Sequence, residues 1–154
     1  MKRFIIITLL AVFLSVIHSG VMAQSDTTKP WKAGGVTSLM LTQVALSNWA
    51  AGGQNSISGS AMVSLFANYH QKRSQWDNTL ELGYGLLKQG KAGIIKSDDK
   101  IDFSSKYGQY AFKHWYYSAM LNFKTQFAQG FNYPNDSVMI SDFMAPAYLI
   151  VALG

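Results

Sequence analysis

The chain has 154 residues, with 13 Lys and Arg against 8 Asp and Glu, a formal charge of +5, and no cysteine. The missing thiol excludes disulfides, thiolate metal sites, thiol nucleophiles and thioether-attached haem. A length of this order supports one domain, and the scattered charges contain no basic run of the kind that binds nucleic acid.

The first 23 residues read as a secretory signal peptide. Lys2 and Arg3 form a positive start, residues 4–17 are apolar, and Val21-Met22-Ala23 is a small-residue cleavage site. The apolar run is shorter than the ~20 residues that a transmembrane helix requires. Cleavage after Ala23 removes two basic residues, so the expected mature chain has 11 against 8 acidic ones and a net charge of +3. Residues 24–30 read as a polar, flexible leader, and residues 31–154 as a partial β-barrel domain.

The composition beyond the leader points to strands. Nine Phe, eight Tyr and four Trp, all but Phe4 and Phe13 beyond the signal peptide, occur among few charges and many Gly and Ser. No later segment is apolar for long enough to span as a helix. An aromatic-rich, helix-poor exported chain matches a membrane β-barrel.

A first strand is expected over residues 31–47, with a Gly34-Gly35 kink. Residues 48–56 then form a turn-rich connection in which Gly52-Gly53 permits positive φ and Asn48 and Asn55 can bond their own main chain. The second strand, 57–69, alternates Ile57, Ala61, Val63, Leu65 and Tyr69 with Ser58, Ser60, Ser64 and Asn68, a period of two with Met62 and Phe66 as exceptions on the second face. The third, 75–87, places Trp76, Leu80, Leu82, Tyr84 and Leu86 on one face, and Asp77, Thr79 and Glu81 on the other. A fourth at 101–110 sets Ile101, Phe103 and Tyr107 against Asp102, Ser104 and Lys106. The fifth, 115–127, sets Trp115, Tyr117, Leu121, Phe123 and Phe127 against Ser118, Asn122 and Lys124. A sixth, 139–153, is more uniformly apolar and contains Pro146.

The fold class is therefore all-β, an antiparallel up-and-down meander of about six long strands. Strands of this length exceed the ~5–6 residues common in soluble sheets and suit a tilted membrane span of ~9–11. Connections at 48–56, 88–100 and 128–138 are expected to be long, and those at 70–74 and 111–114 short, the alternation of outer-membrane barrels. Aromatic residues then gather in two interfacial girdles. Trp31, Tyr69, Trp76, Trp115 and Tyr117 fall at the short-turn end, and Trp49, Tyr84, Phe103, Phe127, Phe131 and Tyr133 at the long-loop end. Six strands are fewer than the eight or so of single-chain barrels, and open sheet edges are costly in hydrocarbon. Closure is expected from further strands of a longer chain or from other subunits.

Gln43 with Ser47-Asn48-Trp49-Ala50-Ala51-Gly52-Gly53, then Asn68-Tyr69, Trp76-Asp77-Asn78, Leu82-Gly83-Tyr84-Gly85, Ser105-Lys106-Tyr107-Gly108, Lys124-Thr125-Gln126-Phe127 and Pro146-Ala147-Tyr148 occur in a characteristic order. In these motifs the chain resembles an uncharacterised family of exported proteins from Bacteroidetes-type Gram-negative bacteria, a domain of unknown function. The resemblance implies an outer-membrane β-barrel-like protein with no assigned activity, no catalytic residues to carry over, and members longer than this chain.

Four charged residues form the candidate site. Asp77 and Glu81 share the polar face of the third strand, with Asp102 and Lys106 on the next, and hairpin pairing is expected to bring Lys106 near Glu81. They read as a lumen network of mutually satisfied charges, with a pore constriction or an acid–base pair as the functional alternatives. Asp98-Asp99 reads as a solvated loop, since two adjacent carboxylates supply too few calcium ligands. His70 and His114 read as turn histidines with no carboxylate beside them. Gly-x-Ser-x-Gly and phosphate-loop patterns are missing. The expected function is a non-enzymatic outer-membrane barrel acting as channel, receptor or structural component, without cofactor or metal, its partner the membrane lipid and not nucleic acid. A soluble periplasmic lipocalin-like barrel and a barrel-embedded envelope enzyme are the alternatives.

Overall fold

The computed structural model describes residues 29–47, 53–91, 93–133 and 137–154. The expected signal peptide, most of the leader, Asn48, Trp49 and Gly52 lie outside the described residues. Every element is a strand: β1 (Trp31–Val44), β2 (Ser56–Gln71), β3 (Ser74–Gln89), β4 (Ile94–Phe112), β5 (Trp115–Thr125), β6 (Gly130–Phe131), β7 (Met139–Ser141) and β8 (Tyr148–Leu153). Six of them form one antiparallel sheet in the order β1-β2-β3-β4-β5-β8, and β6 pairs with β7 in a small ribbon. The meander is as the alternation predicts. The sheet is open, with β1 and β8 at its edges.

The register joins the separate alternations into two continuous faces, because directly paired residues project to the same side. One line runs Leu39–Ala61–Tyr84 across β1, β2 and β3. Two others run Val63–Leu82–Ile101 and Leu65–Leu80–Phe103–Phe123–Leu149. This face is predominantly apolar; the Asn78–Ser105 pair interrupts it, as does Asp99 across from Tyr84 at the end opposite the short turns. The opposite face carries Ser64–Glu81–Asp102–Lys124 and Asn68–Asp77–Lys106. Among the described residues no hydrophobic side chain is buried, and Leu65, Trp76, Leu86 and Val151 on the apolar face are each exposed by 40% or more. Gly83, Gly85 and Asn122, on the polar face, are buried. Both sides of the open sheet are thus accessible: Thr79, Lys106 and Lys124 on the polar side are exposed as well, and among the described residues no hydrophobic core forms on the apolar side as it would in a soluble half-buried sheet.

An aromatic row crosses four strands at one end of the apolar face. Trp31, Tyr69, Trp76 and Tyr107 are successive register partners. Trp31 lies 5.2 Å from the ring of Tyr69 and 5.7 Å from that of Trp76. Polar atoms beside the row satisfy one another: Trp76 Nε1 donates to Ser105 Oγ at 2.8 Å, and Ser105 Oγ to Asn78 Oδ1 at 2.7 Å. Trp115 and Tyr117 lie beyond the row towards the turn, 67% and 68% exposed. From Trp76 to Leu86 the apolar face of β3 extends about 33 Å along the strand at ~3.3 Å per residue. At a ~40° tilt that is about 25 Å of height, the thickness of an outer-membrane apolar band.

The opposite end departs from expectation in three places. Residues 88–100 are not a long loop: β3 continues to Gln89 and β4 begins at Ile94, with Lys88 paired to Ile94 and Leu87 to Ile95. A bulge between Gly85 and Leu86 breaks the register there, hiding the alternation within a run of Lys, Ser and Asp. Phe103 consequently pairs with Leu80 at mid-strand and leaves the outer girdle, where Tyr84 remains on the apolar face. The expected sixth strand divides into β7 and β8 because Pro146 has no N–H to continue a ladder. At the first hairpin Gly53 has φ of 124°, as the turn chemistry predicts, whereas Asn55 Oδ1 accepts a bond from Leu46 N at 2.6 Å, nine residues back across the hairpin and not from its own local main chain. The Gly34-Gly35 step has a steric cause: a Cβ on Gly35 would lie 2.7 Å from Ser64 O, and one on Gly34 2.8 Å from the Phe66 ring.

Candidate functional site

The polar face of β3, β4 and β5 brings the charged residues together, in pairs other than those expected. Glu81 stands across from Asp102, not Lys106, and its ion-pair partner is Lys100, one register step towards the outer end. Asp102 is held by Lys124 at 3.4 Å and by Asn122 Nδ2 at 2.7 Å. The same Asn122 amide donates to Ser104 Oγ at 2.7 Å and to Phe103 O at 3.2 Å. Asp77 accepts from Gln75 Nε2 at 2.6 Å and contacts His70 Nε2 at 2.9 Å. Lys106 is paired in register with Asp77, four residues along β3 from its predicted neighbour Glu81. All four predicted residues share one face, but Asp77 and Lys106 lie towards the short turns while Glu81 and Asp102 lie at mid-strand.

The alternation of 115–127 already sets Asn122 and Lys124 on the polar face; their engagement of Asp102, and the position of Lys100, follow only from the register. Lys100 sits inside the segment read as a loop. His70 is likewise corrected: seven residues separate it from Asp77, and the two-residue turn at Lys72-Arg73 folds the carboxylate back onto it.

Asp98 and Asp99 are strand residues, not a solvated loop. The Asp99 side chain is 2% exposed. It accepts from Lys96 Nζ at 2.7 Å, Phe127 N at 2.7 Å and Ala128 N at 2.9 Å. Lys96 also donates to Ala128 O at 2.7 Å, Gln126 Oε1 at 3.1 Å and Ser141 Oγ at 3.3 Å. These two side chains cap the end of β5 and hold the β6–β7 ribbon against β4. Phe127, expected as an interface aromatic, takes part through its backbone and is 38% exposed.

A second polar region lies at the short-turn end, in a cavity of about 560 Å³ whose lining includes His70, Lys72, Arg73, Asp77, Lys106 and Tyr110. Arg73 lies over the Tyr110 ring, 5.4 Å from its centroid, and Tyr110 N donates to Arg73 O at 2.7 Å. Among the described residues no group of three or more His, Asp or Glu is arranged to hold a metal ion. The mid-face charges are arranged for mutual satisfaction, whereas the turn-end cavity gathers cations around a carboxylate already engaged by His70 and Gln75.

A family model described as "Protein of unknown function (DUF3078)" matches residues 41–131, from the last four residues of β1 to the end of β6. No curated protein and no solved structure matches the chain. The matched segment includes Asp77, Glu81, Asp102 and Lys106 and exceeds half of the sequence, so the chain belongs to the DUF3078 family of proteins of unknown function.

Proposed function

We propose that this protein is a non-enzymatic outer-membrane β-barrel component, with the apolar face in lipid and the polar face lining a lumen. The observation that carries the reading is an apolar face with no hydrophobic core formed on it among the described residues, backed by a charge-bearing face on the same strands. In water the apolar face would cost about 25 cal/mol for every Å² left exposed; in hydrocarbon it costs nothing and the polar face must point inward. The aromatic row from Trp31 to Tyr107 suits the membrane interface nearer the short turns, which in this family of folds face the periplasm. Charges on the polar face pair with one another at mid-strand, which leaves a confined lumen lining without unpaired charge there.

The edges at β1 and β8 carry backbone groups that hydrocarbon would leave unsatisfied, at several kcal/mol each. Closure of the barrel, by further strands of the polypeptide or by other subunits, is therefore part of the proposal. The test is fractionation of cells expressing the full-length protein, followed by electrophoresis with and without heating. Recovery in outer membranes, extraction only by detergent and a heat-dependent change in mobility are the expected results. A protein recovered from the periplasm in soluble form would overturn the reading in favour of a lipocalin-like one.

A further inference from the structure

The turn-end cavity is a second charged region, separate from the paired charges at mid-strand. Its cations come from two sources. Lys72 and Arg73 are the entire connection between β2 and β3, so their position is set by the tightness of that hairpin. Lys106 reaches the same space from β4, opposite Asp77. Arg73 is held in place by the Tyr110 ring, itself packed edge-on against Tyr116 at 5.4 Å. The one carboxylate, Asp77, is engaged by His70 and Gln75, and no hydrogen bond or ion pair joins it to Lys106. Three full positive charges thus face a cavity of about 560 Å³ with one negative charge to oppose them. This differs from Glu81–Lys100 and Asp102–Lys124, where each cation has its anion.

We infer that the cavity between the β2–β3 turn and the polar face of β4 binds a small soluble polyanion of the phosphate class, with Lys72, Arg73 and Lys106 as its charge partners. Several charge-assisted bonds from a fork-shaped guanidinium and two ammonium groups suit phosphate oxygens in number and geometry. His70, Asp77 and Lys106 lie on the polar face, opposite the apolar one, so the ligand approaches from water and not from the lipid side. The cavity stands on this geometry alone; the ligand's approach from water and the cavity's position at the periplasmic mouth of a lumen rest on the proposed membrane orientation.

The experiment is isothermal titration of the full-length protein with tripolyphosphate, in detergent micelles or, should the chain prove soluble, in buffer. Failure of the membrane reading and failure of the site are then read separately. Saturable one-site binding that weakens steeply with added salt is expected. Lys106→Gln and Arg73→Gln should each weaken it by about fivefold or more, and Asp77→Asn should tighten it by a similar factor. Lys124→Gln, outside the cavity, should leave it unchanged. In lipid vesicles, affinity should be the same with phosphatidylcholine alone as with added phosphatidylglycerol. Absence of saturable binding, equal loss with Lys124→Gln, or displacement by phosphatidylglycerol would each overturn the proposal, the last by giving the site to lipid headgroups. Since Asp77→Asn predicts a gain, poor folding of the cation variants would not leave the proposal without a test.

Discussion

The two sides of β3 differ more than any two strands do. Trp76, Leu80, Leu82, Tyr84 and Leu86 project to one side, and Asp77, Thr79, Glu81, Gly83 and Gly85 to the other, within one backbone. In a soluble sheet the apolar side would be the covered one. Here Gly83 and Gly85 are buried while Tyr84 and Leu86 are 38% and 40% exposed. What this teaches is that hydrophobic pattern fixes which side a residue takes, while neither side of the open sheet encloses a hydrophobic core among the described residues. The solvent on each side is therefore a separate question, open to experiment.

That contrast can be broken by placing the same charge on either side. Leu82→Lys, at the middle of the apolar face, should destabilise the lipid-folded protein by about 2–4 kcal/mol, the cost of a basic residue at the bilayer midplane. The measurement is urea unfolding in vesicles followed by tryptophan fluorescence. The buried Lys96–Asp99 pair comes next. Asp99→Ala strips Lys96 of its ionic partner and leaves Phe127 N and Ala128 N without an acceptor, a loss of about 2–3 kcal/mol that should also free segment 126–147 to limited proteolysis. Lys100→Met should cost under about 1 kcal/mol, because its pair with Glu81 is 38% and 46% exposed and well screened. Smallest of all, Thr79→Lys on the polar side should change stability by about 0.5 kcal/mol or less. If Thr79→Lys proved as costly as Leu82→Lys, the two sides would not be in different solvents.

Much of this architecture is legible in the residues themselves. Period-two stretches such as 57–69 and 75–87 state both the strand and its faces, because a side chain must alternate along an extended backbone. Gly53 and Asn55 likewise announce their turn, since few other residues can adopt or satisfy it. What was hidden depends on register. The pairing of Glu81 with Lys100 rather than Lys106 follows from the short connection between Gln89 and Ile94 and a bulge beside Gly85, neither of which leaves a periodic trace. The same bulge disguised residues 94–100 as a loop, and with them the Lys96–Asp99 anchor. The turn-end cavity needed three strands in place before Lys106 could be set beside Arg73. Local chemistry carries faces and turns; the site is a property of how the strands slide.

The lack of native cysteine permits the most direct test. Single cysteines introduced along β2 at Ser60, Ala61, Met62, Val63, Ser64 and Leu65 can be spin-labelled in lipid vesicles. Each site is then scored for collision with oxygen, which partitions into lipid, and with a water-soluble nickel chelate. Residues 61, 63 and 65 should favour oxygen, and residues 60, 62 and 64 the chelate, in strict alternation. The opposite phase, or no alternation at all, would contradict the assignment of the apolar face to lipid.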